Sequence, residues 1–355
     1  MNPETDVFVI GGGPAGLAAA IAARRKGFRV GVADSGVPPL DKACGEGLMP
    51  DALAALAELG VHIPSTEGYP FQGIRFLDRG QDVGAALPSG NALGIRRTAL
   101  HRRMIESAEE AGVEMHWGAP VRGITSGGVL IGDRTVRCHW IIGADGEHSR
   151  VRRWAGLDAS VRHERRFGFR RHFAMAPWTD RVEIYWGDGC QIYVTPISAE
   201  EVGVAALSND QQLRLDEVLR RFPPVAERLQ GKQATTVERG AVTSSRKLES
   251  VYRGCVALVG DASGSVDAIT GEGLGLAFRQ ASAVAEALEC GDLASYQVKH
   301  RHIARRPSIM AALMLTMAGH SRLRRAAIGA MTSNPWILSR ILALHVGAAR
   351  RPSSQ

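Results

Sequence analysis

Cysteine is scarce in this 355-residue chain. Cys44, Cys138, Cys190, Cys255 and Cys290 stand far apart, with no Cys-x-x-Cys pair. That usage argues against a disulfide framework and against a zinc site built on paired thiolates, so no metal is expected. A reducing cytoplasm is the compartment it fits. Long apolar runs are also lacking. The longest near the C-terminus, IMAALMLTMA, is too short to span a bilayer. A β-like run starts a few residues after Met1, with no basic segment before it, so no signal peptide is expected. No nucleic-acid-binding motif appears, and nucleic acid is not an expected partner. Acidic residues are missing from one region in particular. The net charge is +7, but residues 292–355 hold ten Lys/Arg against the single acid Asp292, leaving 33 basic and 35 acidic residues elsewhere. Such a basic tail fits an anionic membrane surface, an acidic substrate or a solvated helical face.

What is present begins with DVFVIGGGPAGLAAAIAARRKGFRVGVADSG near the N-terminus. It reads as strand, glycine turn, helix and strand. Gly11-Gly12-Gly13-Pro14-Ala15-Gly16 fits G-x-G-x-x-G. The first glycine allows a tight turn, Gly13 lets a pyrophosphate approach the backbone, and Gly16 lets helix and sheet pack closely. Asp34 ends the second strand and suits an unphosphorylated ribose, as in NAD or the adenosine half of FAD. Further helices are expected at 51–59 and 94–112, with short strands around Met115, Val121, Val129 and Val136. Two more buried strands, HWIIGADG (139–146) and CVALVGDASG (255–264), end in Asp-Gly and Gly-Asp turns. Residues 166–208 change to short β-branched and aromatic runs, which predict an antiparallel sheet. Alternation there suggests Phe169, Phe173, Tyr185 and Tyr193 as pocket-lining residues. DEVLRRFPPVAERLQ reads as helix broken at Pro223 and Pro224, and the C-terminal stretch as helix broken at Pro335.

These motifs, in this order and over nearly the whole chain, resemble the flavoprotein monooxygenase superfamily, which includes aromatic hydroxylases, geranylgeranyl reductases and flavin-dependent halogenases. The resemblance implies an α/β fold: a Rossmann-like FAD-binding domain (1–160 and 250–290), an inserted antiparallel-sheet substrate domain (161–249) and a C-terminal helical region (291–355). It implies FAD as cofactor. The ADP half would lie on Gly11, Gly13, Pro14, Ala15, Gly16, Asp34 and Ser35. Arg97, opening an R-x-x-L-x-x-x-hydrophobe helix with Leu100 and Met104, would contact the cofactor, with Val121 nearby. Asp145 and Gly146 match the Asp-Gly turn, completed by Ser149 and Arg152. Asp261 would meet the flavin's sugar-alcohol chain, and the backbone at Gly273 and Leu274 the ring. The late motif departs from many members in lacking a proline before TGEG. Arg96, Arg102 and Arg103 read as solvated helix surface. No second G-x-G-x-x-G stands in a strand–helix context, so NADH or NADPH would dock transiently, or electrons would come from a donor protein.

The chemistry is less determined. DKACGEGLMP (41–50) carries a Lys-x-Cys-Gly element similar to that of the geranylgeranyl reductases, making Cys44 a candidate catalytic residue, and Glu46 a candidate member of a proton path. The halogenase motif W-x-W-x-I-P and its lysine are absent. The first expectation is an NAD(P)H-dependent monooxygenase hydroxylating a lipophilic aromatic or polyketide-like molecule. The alternative is an alkene reductase acting on a prenyl or lipid substrate. A non-enzymatic lipid carrier on the same fold is the third reading, and Asp261 and Gly273 argue against it. IMAALMLTMAG and WILSRILALHVG present apolar faces flanked by Arg322, Arg324, Arg325, Arg340, Arg350 and Arg351. They read either as core-packed terminal helices or as an amphipathic lid that places a cytoplasmic protein against a membrane.

Overall fold

Val7–Ile10 and Val30–Ala33 are buried at every position, as strands covered on both faces must be. They form the middle of a six-stranded sheet in the computed structural model, which describes residues 4–64, 66–88 and 92–346. The strand order is Tyr252–Arg253, Val256–Leu258, Trp140–Gly143, Val7–Ile10, Val30–Ala33, Glu114–His116. All neighbours are parallel except the first pair. Two helices cover one face together. Pro14–Arg25 is alanine-rich and packs on Gly273–Glu289, where small side chains let the two approach. A three-stranded antiparallel sheet, Val121–Thr125, Gly128–Ile131 and Arg134–Arg137, leads back into the Trp140 strand.

The second large sheet has seven strands, in the order Arg239–Leu248, Ser160–Ala174, Glu201–Ser208, Cys190–Ser198, Arg181–Trp186, Gly73–Asp78, Gln81–Ala86. Two features depart from the sequence reading. The last two strands come from a stretch read as part of the 1–160 domain. Their apolar residues, Ile74, Phe76, Val83 and Ala85, complete the core begun by Val182 and Ile184. The sheet is also not wholly antiparallel: Arg181–Trp186 runs parallel to Gly73–Asp78, because a long crossover through the other domain joins them. The 214–230 stretch is two helices, Leu215–Leu219 and Pro223–Leu229. The second starts at Pro223, where a missing N–H costs nothing. These helices cap one face of the sheet through Leu215, Val218, Phe222 and Val225.

Three helices finish the described chain: Leu293–Gly319, capped by Asp292, then Ser321–Ser333 and Trp336–Val346. Their inner faces (Met314, Met317, Ile328, Met331, Leu338, Leu342) pack on the 73–86 strands. Arg324 does not flank an apolar face as read from sequence. It is fully buried, its Nε donating to Asp78 at 2.8 Å and its Nη2 to Asp188 at 3.0 Å. Arg350 and Arg351 lie outside the described residues.

Candidate active site

A cavity of about 610 Å³ runs between the carboxyl ends of the parallel strands and one face of the seven-stranded sheet. Such a crevice is where open α/β sheets hold ligands. Gly11, Gly13, Pro14, Ala15, Asp34, Ser35, Cys44, Arg97, Val121, Asp145, Gly146, Asp261, Gly273 and Leu274 all line it. Gly16 does not; it lies beneath the turn, where a Cβ would stand 1.8 Å from the Gly11 oxygen. Gly11 has φ +113° and a Cβ there would meet the Ala144 oxygen at 2.4 Å. Gly13, Gly146, Gly271 and Gly273 are of another kind. Nothing stands within 4 Å of a Cβ built on them, so they leave a cradle open to a ligand. The helix beginning at Pro14 has no side-chain cap, and its free N–H groups point toward that cradle.

Asp34 is held before any ribose arrives. Its Oδ2 accepts from Gly12 N–H and its Oδ1 from Gly36 N–H, both at 2.7 Å. A carboxylate has further lone pairs, so it can still accept from a hydroxyl. The sequence reading missed His101, fully buried on the helix Arg97–Glu110, whose Nε2 donates to the Gly12 carbonyl at 2.8 Å. Burial pushes its pKa down, keeping the ring neutral under the glycine turn. Asp145 turns its carboxylate onto its own chain, accepting from Ser149 Oγ and the N–H groups of Arg150 and Val151. Arg152 is buried and donates to the carbonyls of Glu147 and Ala262, tying the Asp-Gly turn to the Gly-Asp turn. Asp261 is half-exposed, with Lys42 at 3.7 Å. At Arg97 the buried Nε has no acceptor among the described residues. An orphan donor and a glycine cradle on one wall fit a phosphorylated dinucleotide such as FAD.

The segment 41–47 forms another wall. Thr195 Oγ1 donates to the Gly45 carbonyl at 2.9 Å, and Glu46 N–H lies 3.4 Å from Cys44 Sγ. Glu46 adopts φ +58°, an uncommon conformation for a side chain this large. Its buried carboxylate explains how that is held. Oε1 accepts from Arg97 N–H at 2.8 Å, Oε2 takes His172 Nε2–H, and Arg170 stands 3.7 Å away. Arg170 also donates to Asp41 and, at 3.2 Å, to His172 Nδ1. Arginine can only donate, so Nδ1 accepts and the Nε2–H faces Glu46. Sequence reading flagged Glu46 but missed Arg170 and His172, which reach it from a distant strand. Of the four aromatic residues taken from alternation, Phe169 and Tyr193 line the cavity. Phe173 and Tyr185 do not; together with part of Phe169 they pack in the cluster on the opposite side of the sheet. Register explains Tyr185: Ile184 pairs with Tyr193, so Val182 and Ile184 face the cavity and Tyr185 faces away. Arg96 is not plain solvated surface, since it pairs with Glu201; Arg102 and Arg103 both hold Glu67.

Beside the cavity, Glu272 is buried near Asp51, Arg279 and His345. Burial, and then the negative charge of Asp51, pushes its carboxyl up to about 8. The folded protein therefore holds this proton to higher pH than the unfolded chain does. Its stabilising share is full at acid pH and is lost as pH rises through about 8. Thermal denaturation of Glu272→Gln should show a flatter decline than the wild type between the ordinary carboxylate range and that value. Parallel declines would refute the assignment.

Residues 4–291 match the family model described as "FAD binding domain". The chain is 30% identical over 353 residues to a menaquinone reductase of Mycolicibacterium smegmatis, covering 89% of this chain and 86% of that protein. It is 28% identical to digeranylgeranylglycerophospholipid reductase 1 of Methanococcoides burtonii, covering 77% and 72%. In fold it is similar to the flavin-dependent brominase Bmp2, with a TM-score of 0.84 at 18% identity over 96% of this chain and 93% of that one. With its glycine turn, its cradle and the family match across most of its length, the chain belongs to the FAD-dependent flavoprotein monooxygenase superfamily and is an FAD-dependent oxidoreductase.

Proposed function

We propose that the chain is a reductase of a lipophilic prenyl- or quinone-type substrate, ahead of the monooxygenase reading. One observation carries this. The Cys44-bearing segment lines the same cavity as the glycine cradle and the apolar residues Met49, Phe71, Ile74, Val182, Ile184 and Leu207. Of the cations lining the cavity, Arg170 is already engaged by Asp41, so it offers a phenolate or carboxylate little anchorage. The wall suits a hydrocarbon. The relatives support the reading, since their names speak of a quinone and of a geranylgeranyl lipid.

In this reading Gly11, Gly13 and the Pro14 helix end hold the diphosphate of FAD, Asp34 the ribose, and Arg97 and Asp261 the middle of the cofactor. Bound FAD supplies the electron pair. The chain positions the substrate, excludes water and supplies a proton from the 44–46 wall. NADH, NADPH or a donor protein would renew the electrons.

The test bypasses the electron donor. FAD-loaded protein is reduced chemically without oxygen, then mixed with menaquinone or a geranylgeranyl lipid in detergent. The flavin colour should return anaerobically, with a product that has gained two hydrogens. Colour that returns only with oxygen, and a product that has gained an oxygen atom, would mean a hydroxylase instead.

A further inference from the structure

We propose that the outer face of the C-terminal helical layer docks on an anionic lipid bilayer, bringing the cavity wall alongside it. The inference stands on charge and exposure and does not depend on which substrate is reduced.

Residues 293–346 contain eight lysines and arginines and no aspartate or glutamate. Four of the eight serve the protein itself: Arg324 is buried on Asp78, Lys299 pairs with Glu286, Arg301 donates to the Glu249 carbonyl and Arg325 to the Ser321 carbonyl. Arg305, Arg306, Arg322 and Arg340 are exposed, and no acidic partner meets them among the described residues. Large apolar side chains stand among these cations. Ile309 is 62% exposed, Trp336 67% and Leu344 61%, with Leu313 and Leu323 near half. On the Leu293–Gly319 helix, Arg305, Ile309 and Leu313 follow at four-residue spacing and so share one row.

Loose packing does not explain this exposure. Each of the three helices already buries an inner face, at Met314 and Met317, at Ile328 and Met331, and at Leu338 and Leu342. An ordinary solvated helix carries polar groups on its other side. Cations interleaved with aliphatic groups and a tryptophan are what the headgroup region of a bilayer accommodates. A polyanion such as nucleic acid would use the arginines but not Ile309 or Leu344. A second copy of the chain would set like charges against each other. No helix among the described residues is long and apolar enough to cross a membrane, so the contact is peripheral. The layer also borders the cavity. His345 of the last helix lies 3.4 Å from Glu272, whose neighbours Gly271 and Gly273 line it.

The test is flotation of the FAD-loaded protein with vesicles of pure phosphatidylcholine or of phosphatidylcholine with about one-third phosphatidylglycerol. Binding to the anionic vesicles should be roughly tenfold tighter or more, and weaken with salt. R305E/R306E should remove the anionic preference. I309S/L313S should weaken binding to anionic vesicles while keeping the wild-type flavin colour and melting temperature. An intact protein that does not float with anionic vesicles at low salt would overturn the proposal. So would retention on duplex DNA that I309S/L313S leaves unchanged, or a dimer in solution that the same substitutions dissolve. None of these three outcomes would touch the reductase reading, whose assay is run in detergent.

Discussion

Gly13→Val is expected to yield a folded, colourless protein. The backbone at Gly13 is extended, φ −73° and ψ 176°, a conformation valine adopts without strain. A Cβ there meets no protein atom within 4 Å, so the fold has no objection to it. The new side chain would instead fill the cradle at the uncapped helix end. Losing two charge-assisted N–H contacts of ~1.5–3 kcal/mol each lowers FAD affinity by roughly a hundredfold to ten-thousandfold. The neighbouring glycines should behave differently. Gly16→Ala drives a Cβ to 1.8 Å from a backbone oxygen, and Gly11→Ala also needs a left-handed φ. Those two should lower the melting temperature of the FAD-free protein, whereas Gly13→Val should leave it unchanged and abolish only the rise produced by added FAD. Absorbance of the purified proteins and FAD titration of the stripped forms decide the matter. Wild-type FAD affinity in Gly13→Val would remove the cradle from the cofactor site.

That contrast also marks what the sequence could reveal. The glycine turn, the acid at position 34 and the two later strand-end turns are local devices, in which a steric or hydrogen-bonding need is met within a few residues. Local devices leave local patterns, and each of these stands on the one cavity. The partners of Glu46 are of another kind. Asp41 and Glu46 sit on one loop, Arg170 and His172 on a strand more than a hundred residues later, and nothing in either stretch announces the other. The alternation Arg170, His172 on that strand could have signalled two polar side chains on one face, but not what they face. His101 was hidden in the same way, as a helix residue whose purpose is a carbonyl in the glycine turn. Sheet membership failed for the 73–86 strands because pairing is decided by where a long crossover returns, and Tyr185 was misplaced because alternation gives two faces without saying which is inside.

Arg324→Ala should cost the C-terminal layer ~3–5 kcal/mol, the range for removing one partner of a buried ion pair. The magnitude rests on Asp78. Both side chains of that pair are essentially inaccessible, and the Oδ1 of Asp78 already has no hydrogen-bond partner. Without Arg324 its charge would be buried with nothing to balance it. The second acid, Asp188, is more than half exposed and can turn to water, so its share is small. Arg324 also donates to the Met317 carbonyl at 3.3 Å, which joins the end of one helix to the start of the next. The loss should therefore appear as local opening of 317–346 before the parallel sheet melts. Limited proteolysis of the FAD-loaded protein should cut this region at least roughly a hundredfold faster, in line with that free energy. A paired control separates charge from packing. Asp78→Asn with Arg324→Gln removes both charges while keeping a polar side chain at each position, and should lose less than Arg324→Ala alone, since the cost lies in the stranded carboxylate rather than in the missing attraction. If the double variant opens as readily as the single one, the layer is held by the packing of Arg324's stem and not by its charge. If Arg324→Ala resists protease as the wild type does, the ion pair holds nothing, and the apolar faces at Ile328, Met331 and Leu338 are sufficient to seat the helices on the sheet.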